Sequence, residues 1–182
     1  QEYQSNPIDD SLRAFRPEWL RRWSSGELDG REHLWNLVAV DPATGQEDGD
    51  FFALWVGSVD PATGVIYTRE IALERIGFAE QIRRIVAAFE RWRPVRIGIE
   101  ATAYQLALVQ ALEEEGRRSG LYLPVVGLHA TGSKHVRIQG STPFYENGTM
   151  RLPAALPAEV ERQFLEFPRS AHDDAPDVCA MG

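Results

Sequence analysis

The chain has 182 residues, 43% of them hydrophobic, with five Trp, eight Phe and five Tyr. That suits one globular domain with an appended segment. A formal charge of −8 excludes a generic polyanion binder, although an acidic protein can still act on DNA if its acids hold cations and its bases are clustered. No apolar run approaches the roughly 20 residues needed to cross a bilayer, and no signal peptide is visible. The one cysteine, Cys179, excludes an internal disulfide and permits a reducing compartment.

Residues 1–30 are polar, with Pro7, Pro17 and a Gly-rich end. They read as a connector holding a short helix from about Pro17 to Ser25, with Gly26 as its stop. HLWNLVAVD (33–41) predicts a buried strand that ends at an acid. DFFALWVGSVD (50–60) and VIYTREIAL (65–73) predict two more strands, joined as a hairpin by the turn signal DPATG (60–64). Ile82, Ile85, Val86, Phe89 and Trp92 recur at helical spacing, and Pro94 ends that helix. VRIGIEA (95–101) is a short apolar strand broken by Glu100. A helix from about Ala103 to Arg118 and a fifth strand, LYLPVVGLH (121–129), follow. Residues 130–156 read as less regular, Pro157 to Phe167 as a helix, and another helix should start near Ala175.

A hairpin ahead of alternating strand–helix units implies an α/β fold with a mixed sheet: strands 1–3 antiparallel, strands 1, 4 and 5 parallel, helices on both faces. The fourth strand returns beside the first by a right-handed crossover. Neighbouring strands lie about 4.8 Å apart, so Asp41 and Glu100 should sit close together at one end of the sheet. Two buried carboxylates so close force one to take a proton unless cations lie between them. Hard divalent ions bind through such oxygens. If the last helix docks at the same edge, Asp173, Asp174 and Asp177 complete a metal site. The competing reading is a helix start, with Asp174 as N-cap, Pro176 in the first turn and Asp177 near N3. It leaves Asp41, Glu100 and Asp173 unexplained.

Eighteen of the nineteen basic side chains are Arg; the exception is Lys134. Under such a bias a retained Lys can mark a need for a compact ammonium. KHVRIQ (134–139) offers Lys134, His135 and Arg137 with no acid nearby in sequence, as contacts for a phosphate backbone or as a solvated face. GLHATGSK (127–134) fails as a phosphate-binding loop, because Ser133 separates the second Gly from the Lys. His172 and Cys179 are too few and scattered for a zinc site. Cys179 reads as a core residue. His172 could orient an aspartate or contact a phosphate.

Together these motifs resemble the C-terminal nuclease domain of the large terminase subunit of tailed bacteriophages. VAVDPATGQEDGDFFALWVG is similar to that family's first strand with its acid and loop into strand two. IGIEATAYQ is similar to the second acid and its helix. KHVRIQGSTPFYENGTMRLP resembles the Lys-x-x-Arg stretch with a later Asn-Gly turn, and FPRSAHDDAPDVCA the closing His-Asp-Asp-x-x-Asp motif. QEYQSNP resembles the exit from the family's ATPase motor domain.

The resemblance implies an RNase H-like nuclease domain over 31–182, with residues 1–30 as a connector from the motor domain, which this sequence lacks. It implies a metal-dependent endonuclease that hydrolyses phosphodiester bonds of double-stranded, concatemeric viral DNA during genome packaging, using two Mg²⁺ or Mn²⁺ ions. Catalytic roles carry onto Asp41, Glu100, Asp173 and Asp174, and metal ligation onto the same four acids and, last among them, Asp177. The residues themselves, rather than the resemblance, make Lys134 a catalytic candidate, its ammonium reaching the scissile phosphate or a carboxylate of the metal site, and make Lys134, His135, Arg137 and His172 candidate DNA contacts. Implied partners are double-stranded DNA, the motor domain of the same polypeptide, the small terminase subunit and the portal, in the cytoplasm of an infected bacterium. The alternatives are another RNase H-like nuclease, of junction resolvase or transposase type, and a non-catalytic cation-binding module.

Overall fold

The computed structural model describes residues 13–31, 33–43, 51–100, 105–129 and 132–182. Their strands are β1 (Arg22–Trp23), β2 (Trp35–Asp41), β3 (Phe52–Val59), β4 (Ile66–Glu74), β5 (Arg96–Glu100), β6 (Val125–Leu128) and β7 (Met150–Pro153). They form one sheet in the order β1–β7–β4–β3–β2–β5–β6. Its helices are α1 (Phe78–Trp92), α2 (Gln105–Ser119), α3 (Lys134–Glu146), α4 (Ala158–Glu166) and α5 (Asp174–Met181). None of the described helices is long and apolar enough to cross a membrane.

The centre of the sheet follows the expected pattern. β2, β3 and β4 are antiparallel in sequence order, whereas β5 lies parallel to β2 and β6 parallel to β5. β3 is buried along nearly its whole length because both of its faces are covered. Leu54 and Val56 enter a core shared with Ile85 and Phe89 of α1 and Leu108 and Leu112 of α2. Ala53 and Trp55 enter the opposite core, with Ile138 and Tyr145 of α3, Phe164 of α4 and Val178 of α5. Strands buried on both faces read as continuous apolar runs.

Three expectations need correction. No helix spans 17–25: a 3-10 turn at Pro17–Trp19 leads into β1, and a second turn, Ser25–Leu28, starts with a Ser24–Glu27 capping box. This segment joins the core, since Phe15 is fully buried with the Tyr145 and Phe164 rings each 5.1 Å from its own. Residues 130–156 contain α3 and β7, which extends the sheet by pairing parallel with β4 and with β1. The sequence hides α3 because Gly140 and Pro143 interrupt it. Pro143 has no N–H for the Gln139 carbonyl, and the Thr142 hydroxyl donates to that oxygen instead, at 2.8 Å. Ser133 starts the helix by accepting from the Val136 N–H. The fifth strand is also shorter than 121–129, starting only after Pro124.

Candidate metal centre

Three segments bring acids to one end of the sheet. β2 ends at Asp41, β5 ends at Glu100, and α5 runs against β2, β3 and β4 with Asp177 in its first turn. One carboxylate oxygen each from Asp41, Glu100 and Asp177 lies within 4.8 Å of the other two. Asp173 and Asp174 stand at the start of the same helix. The helix-start reading is therefore corrected. Asp173 occupies the N-cap position without a side-chain capping bond, and Asp174 is already helical. Their carboxylates turn instead to α3.

α3 answers with two cations one turn apart, facing the acids of α5. Lys134 Nζ lies 2.8 Å from Asp174 Oδ1, 2.9 Å from Asp173 Oδ1 and 3.7 Å from Asp177 Oδ2. Arg137 donates to both oxygens of Asp177, at 2.7 and 2.8 Å, and to Glu100 Oε1 at 2.9 Å. The KHVRIQ stretch is thus far from acid-free in space. Of its residues, His135 stays exposed, its ring 5.1 Å from that of Phe167. His172 is half-buried against Phe51, and its Nδ1 lies 3.9 Å from Asp174 Oδ2.

The crowding shows in the acidities. Asp41 is pushed up to about 8, first by burial and then by Glu100, which also accepts a hydrogen bond from its protonated form. Burial likewise raises Asp177, against the pull of Arg137 and Lys134. Burial alone would lower Lys134, but Asp174 and Asp173 outweigh it and hold the ammonium firmly charged. Asp174 Oδ2 is buried with no hydrogen-bond partner among the described residues. A proton shared by two carboxylates and an orphaned buried oxygen are what a divalent cation would relieve. The all-carboxylate donor set suits a hard ion such as Mg²⁺ or Mn²⁺.

Sequence reasoning placed Asp177 last among the acids, yet it is the one that meets Asp41 and Glu100. It also missed three glutamines that tether the acid-bearing segments. Gln81 of α1 donates to the Ala43 carbonyl, two residues beyond Asp41, at 2.7 Å. Gln105 of α2 donates to the Ile99 carbonyl beside Glu100, at 3.2 Å. Gln163 of α4 accepts from the Ala175 N–H beside Asp174, at 2.9 Å. Gln81 and Gln163 are fully buried. Their signal in the sequence is a polar residue on the apolar face of a helix: Gln81 stands four before Ile85, and Gln163 three after Val160.

A family profile described as the terminase RNaseH-like domain matches residues 38–181. The chain belongs to that family. The matched span holds Asp41, Glu100, Lys134, Arg137 and all three terminal aspartates of this terminase domain. A search of curated protein sequences gave no significant match. Solved structures share the fold. The human cytomegalovirus terminase nuclease domain, Mn-soaked and inhibitor-bound, superposes with a TM-score of 0.64 at 12% identity, covering 92% of each chain. The large terminase nuclease of thermophilic phage G20c with bound magnesium gives 0.58 at 16% identity, covering 83% of this chain and 81% of that one. The Thermus phage P74-26 large terminase nuclease domain gives 0.54 at 17% identity, covering 89% and 87%. The mixed seven-stranded sheet with helices on both faces is the RNase H-like fold expected from the sequence.

Proposed function

We propose that this terminase domain is a metal-dependent endonuclease that hydrolyses phosphodiester bonds of double-stranded, concatemeric viral DNA during genome packaging. The observation that carries this reading is the convergence of Asp41, Glu100 and Asp177 within 4.8 Å, with Asp173 and Asp174 beside them. These acids would hold Mg²⁺ or Mn²⁺, and the number of oxygens suits two ions. Support comes from the structural neighbours, which carry manganese in the cytomegalovirus domain and zinc, cobalt or magnesium in the phage G20c nuclease. When bound, such ions would polarise the phosphodiester and lower the pKa of a bound water.

The chain's own residues do the rest. Asp41 would lose its proton to solvent as an ion binds, leaving its carboxylate free to ligate beside Glu100. Arg137 keeps Asp177 and Glu100 aimed at a common point. Lys134 supplies fixed positive charge at the edge of the acids, where charge grows on the phosphate during attack. Double-stranded DNA is the partner this reading requires. The motor domain of the same polypeptide, the small terminase subunit and the portal are proposed partners, in the cytoplasm of an infected bacterium. In that setting residues 1–30 would link the nuclease to the motor.

Nicking of supercoiled plasmid with Mg²⁺, Mn²⁺ or Ca²⁺ tests the reading. Relaxed and linear products should form with Mg²⁺ or Mn²⁺ and vanish in Asp41→Asn. A domain that gains thermal stability from these ions yet never nicks is a cation-binding module, and the nuclease reading then fails.

A further inference from the structure

The acids of the metal centre meet α3 and α5, which lie over one face of the sheet. Over the other face α1 and α2 pack on β2, β3 and β5 and on Ala72 of β4, and no residue of β7 or β1 joins that core. Thr68 bonds Trp55 in the α3–α5 core, so its neighbours Tyr67 and Arg69 point to the α1 face. Tyr67 belongs to neither core. Arg31 and Arg151 stack over its ring at 5.6 and 5.8 Å, and Trp23 meets it edge-on at 6.0 Å. Arg31 and Arg151 each hold an acid as well, Asp60 and Glu27. Arg69 differs. It is the extra residue of a β-bulge, with Val56 paired to Glu70 and Gly57 to Thr68, and a bulge re-aims a side chain. Its guanidinium stacks on two indoles, 5.1 Å from the centre of the Trp23 ring and 4.8 Å from that of Trp92. Exposed Arg91 stacks on the same Trp92 ring at 4.9 Å. Among the described residues neither guanidinium has an ion pair or a hydrogen bond to an acid. Glu70, next to Arg69, is already engaged by Arg84 and by Trp92 Nε1. Burial, then the Arg91 charge, lower the Arg69 pKa from its ordinary value, and no carboxylate offsets them. Two like charges on one indole are what an added anion would relieve.

We propose that Arg69 and Arg91, framed by Trp23 and Trp92, form a docking surface for an acidic peptide segment of a partner protein. Its carboxylates take the place that Asp60 and Glu27 fill beside the other two arginines of this face. Trp and Arg dominate the energetic centres of protein interfaces. A guanidinium already stacked on an aromatic face loses less freedom when a carboxylate meets it. The frame is rigid, since Trp23 Nε1 also donates to the Thr68 carbonyl at 2.8 Å. Position favours a protein partner over the DNA presented to the metal centre. Gly57 at the bulge pairs with Leu37, four residues before Asp41 on β2. The patch is thus set back about 13 Å along the strands, at about 3.3 Å per residue, and lies on the opposite face from α3 and α5. Docking there is independent of the nuclease chemistry.

Fluorescence anisotropy of a rhodamine-labelled hexaglutamate peptide tests this on the whole chain, in EDTA and about 0.1 M salt, where the chain's own net charge is screened beyond about 10 Å. The wild type should bind saturably. Arg69→Ala and Arg91→Ala should each weaken binding about tenfold, as for loss of a hydrogen bond to a charged group. Arg117→Ala, which removes an equal, exposed charge near the end of α2, should bind like the wild type. Melting temperatures run alongside, and Arg91→Ala should match the wild type because its side chain is exposed. A wild type that does not bind overturns the proposal, as does binding that the three variants keep unchanged or lose alike. If Arg69→Ala loses stability together with affinity while Arg91→Ala keeps its affinity, the stack is structural and the proposal fails. If a duplex oligonucleotide binds in place of the peptide, and Arg69→Ala and Arg91→Ala weaken it, the patch is a DNA-backbone contact and the proposal fails.

Discussion

Arg137 grips Asp177 with two parallel hydrogen bonds, 2.7 and 2.8 Å long, and the same guanidinium reaches Glu100 at 2.9 Å. One side chain of α3 thereby joins an acid from α5 to an acid from β5. The planar fork matches a carboxylate in a way an ammonium cannot. Asp177 is fully buried, so its charge depends on that partner.

Removing the guanidinium should leave the Asp177 charge buried and less compensated. Arg137→Ala is expected to cost about 3–5 kcal/mol of stability, the range for breaking a buried ion pair. Arg137→Lys should recover part of it, because the charge returns without the fork. Denaturant unfolding of the three proteins in EDTA checks the order. Equal stability of Arg137→Ala and wild type would show that Asp177 does not need this partner.

The acidity of Asp41 sets a second expectation. Its carboxyl titrates near 8 in the folded chain, mainly through burial and then through Glu100, against an ordinary value of 3.8. Between about pH 4 and 8 the folded state therefore binds more protons than the unfolded state, so this group makes stability fall as pH rises through that window. In EDTA the melting temperature should decline toward pH 8, and Asp41→Asn should decline less. Divalent ions compete with the same proton, so apparent Mg²⁺ affinity should rise with pH by up to about tenfold per unit while Asp41 titrates. Calorimetric titration at pH 6, 7 and 8 measures this. An affinity independent of pH would mean that no proton leaves on binding.

The sheet's central order is legible because β2, β3, β5 and β6 carry apolar runs, β4 follows β3 through a turn signal, and α1 carries an apolar stripe. α3 is not, since its buried positions are Ile138, Ser141 and Tyr145, with Gly140 and Pro143 between them. No periodicity in composition reveals a helix built that way, so the grip of Arg137 on Asp177 stayed hidden, whereas the reach of Lys134 to a carboxylate of the site was expected from its being the lone Lys. Asp41 and Glu100 could be paired from topology alone, because adjacent parallel strands ending in acids must bring them together. The ranking among Asp173, Asp174 and Asp177 could not. It depends on the rotation of α5 about its own axis, which is fixed by packing on the sheet and by Gln163.

Gln163 offers a direct test of that packing. Its buried amide oxygen accepts from the Ala175 N–H at the start of α5, and its nitrogen donates to Glu159. Gln163→Leu should leave the Ala175 N–H unsatisfied, at a cost of about 1–3 kcal/mol. Gln163→Glu keeps the acceptor and should cost less. Hydrogen exchange at Ala175 should quicken in the Leu variant and remain slow elsewhere in the sheet. Unchanged exchange there would place the restraint on α5 in its apolar contacts.

Lys134 presents the sharpest case for a role that depends on shape as well as charge. Its single nitrogen faces Asp174, Asp173 and Asp177 at 2.8, 2.9 and 3.7 Å. An ammonium can direct three donors from one point, whereas a guanidinium spreads its donors over a plane. In a chain with eighteen Arg, this is the one basic position that holds Lys. Under the nuclease reading the ammonium offsets negative charge as the phosphate is attacked. Lys134→Arg should then slow cleavage about tenfold, and Lys134→Ala about a hundredfold, as for loss of a charge-stabilising donor. Stability separates this from a structural role, because Asp174 is buried and Lys134→Ala leaves it underpaired, while Lys134→Arg keeps a cation there. Single-turnover cleavage at saturating metal, set beside DNA affinity and melting temperature, decides between them. A slow Lys134→Arg with unchanged affinity and stability places the lysine in the chemical step. Wild-type cleavage by Lys134→Arg would show that any fixed cation serves at this position.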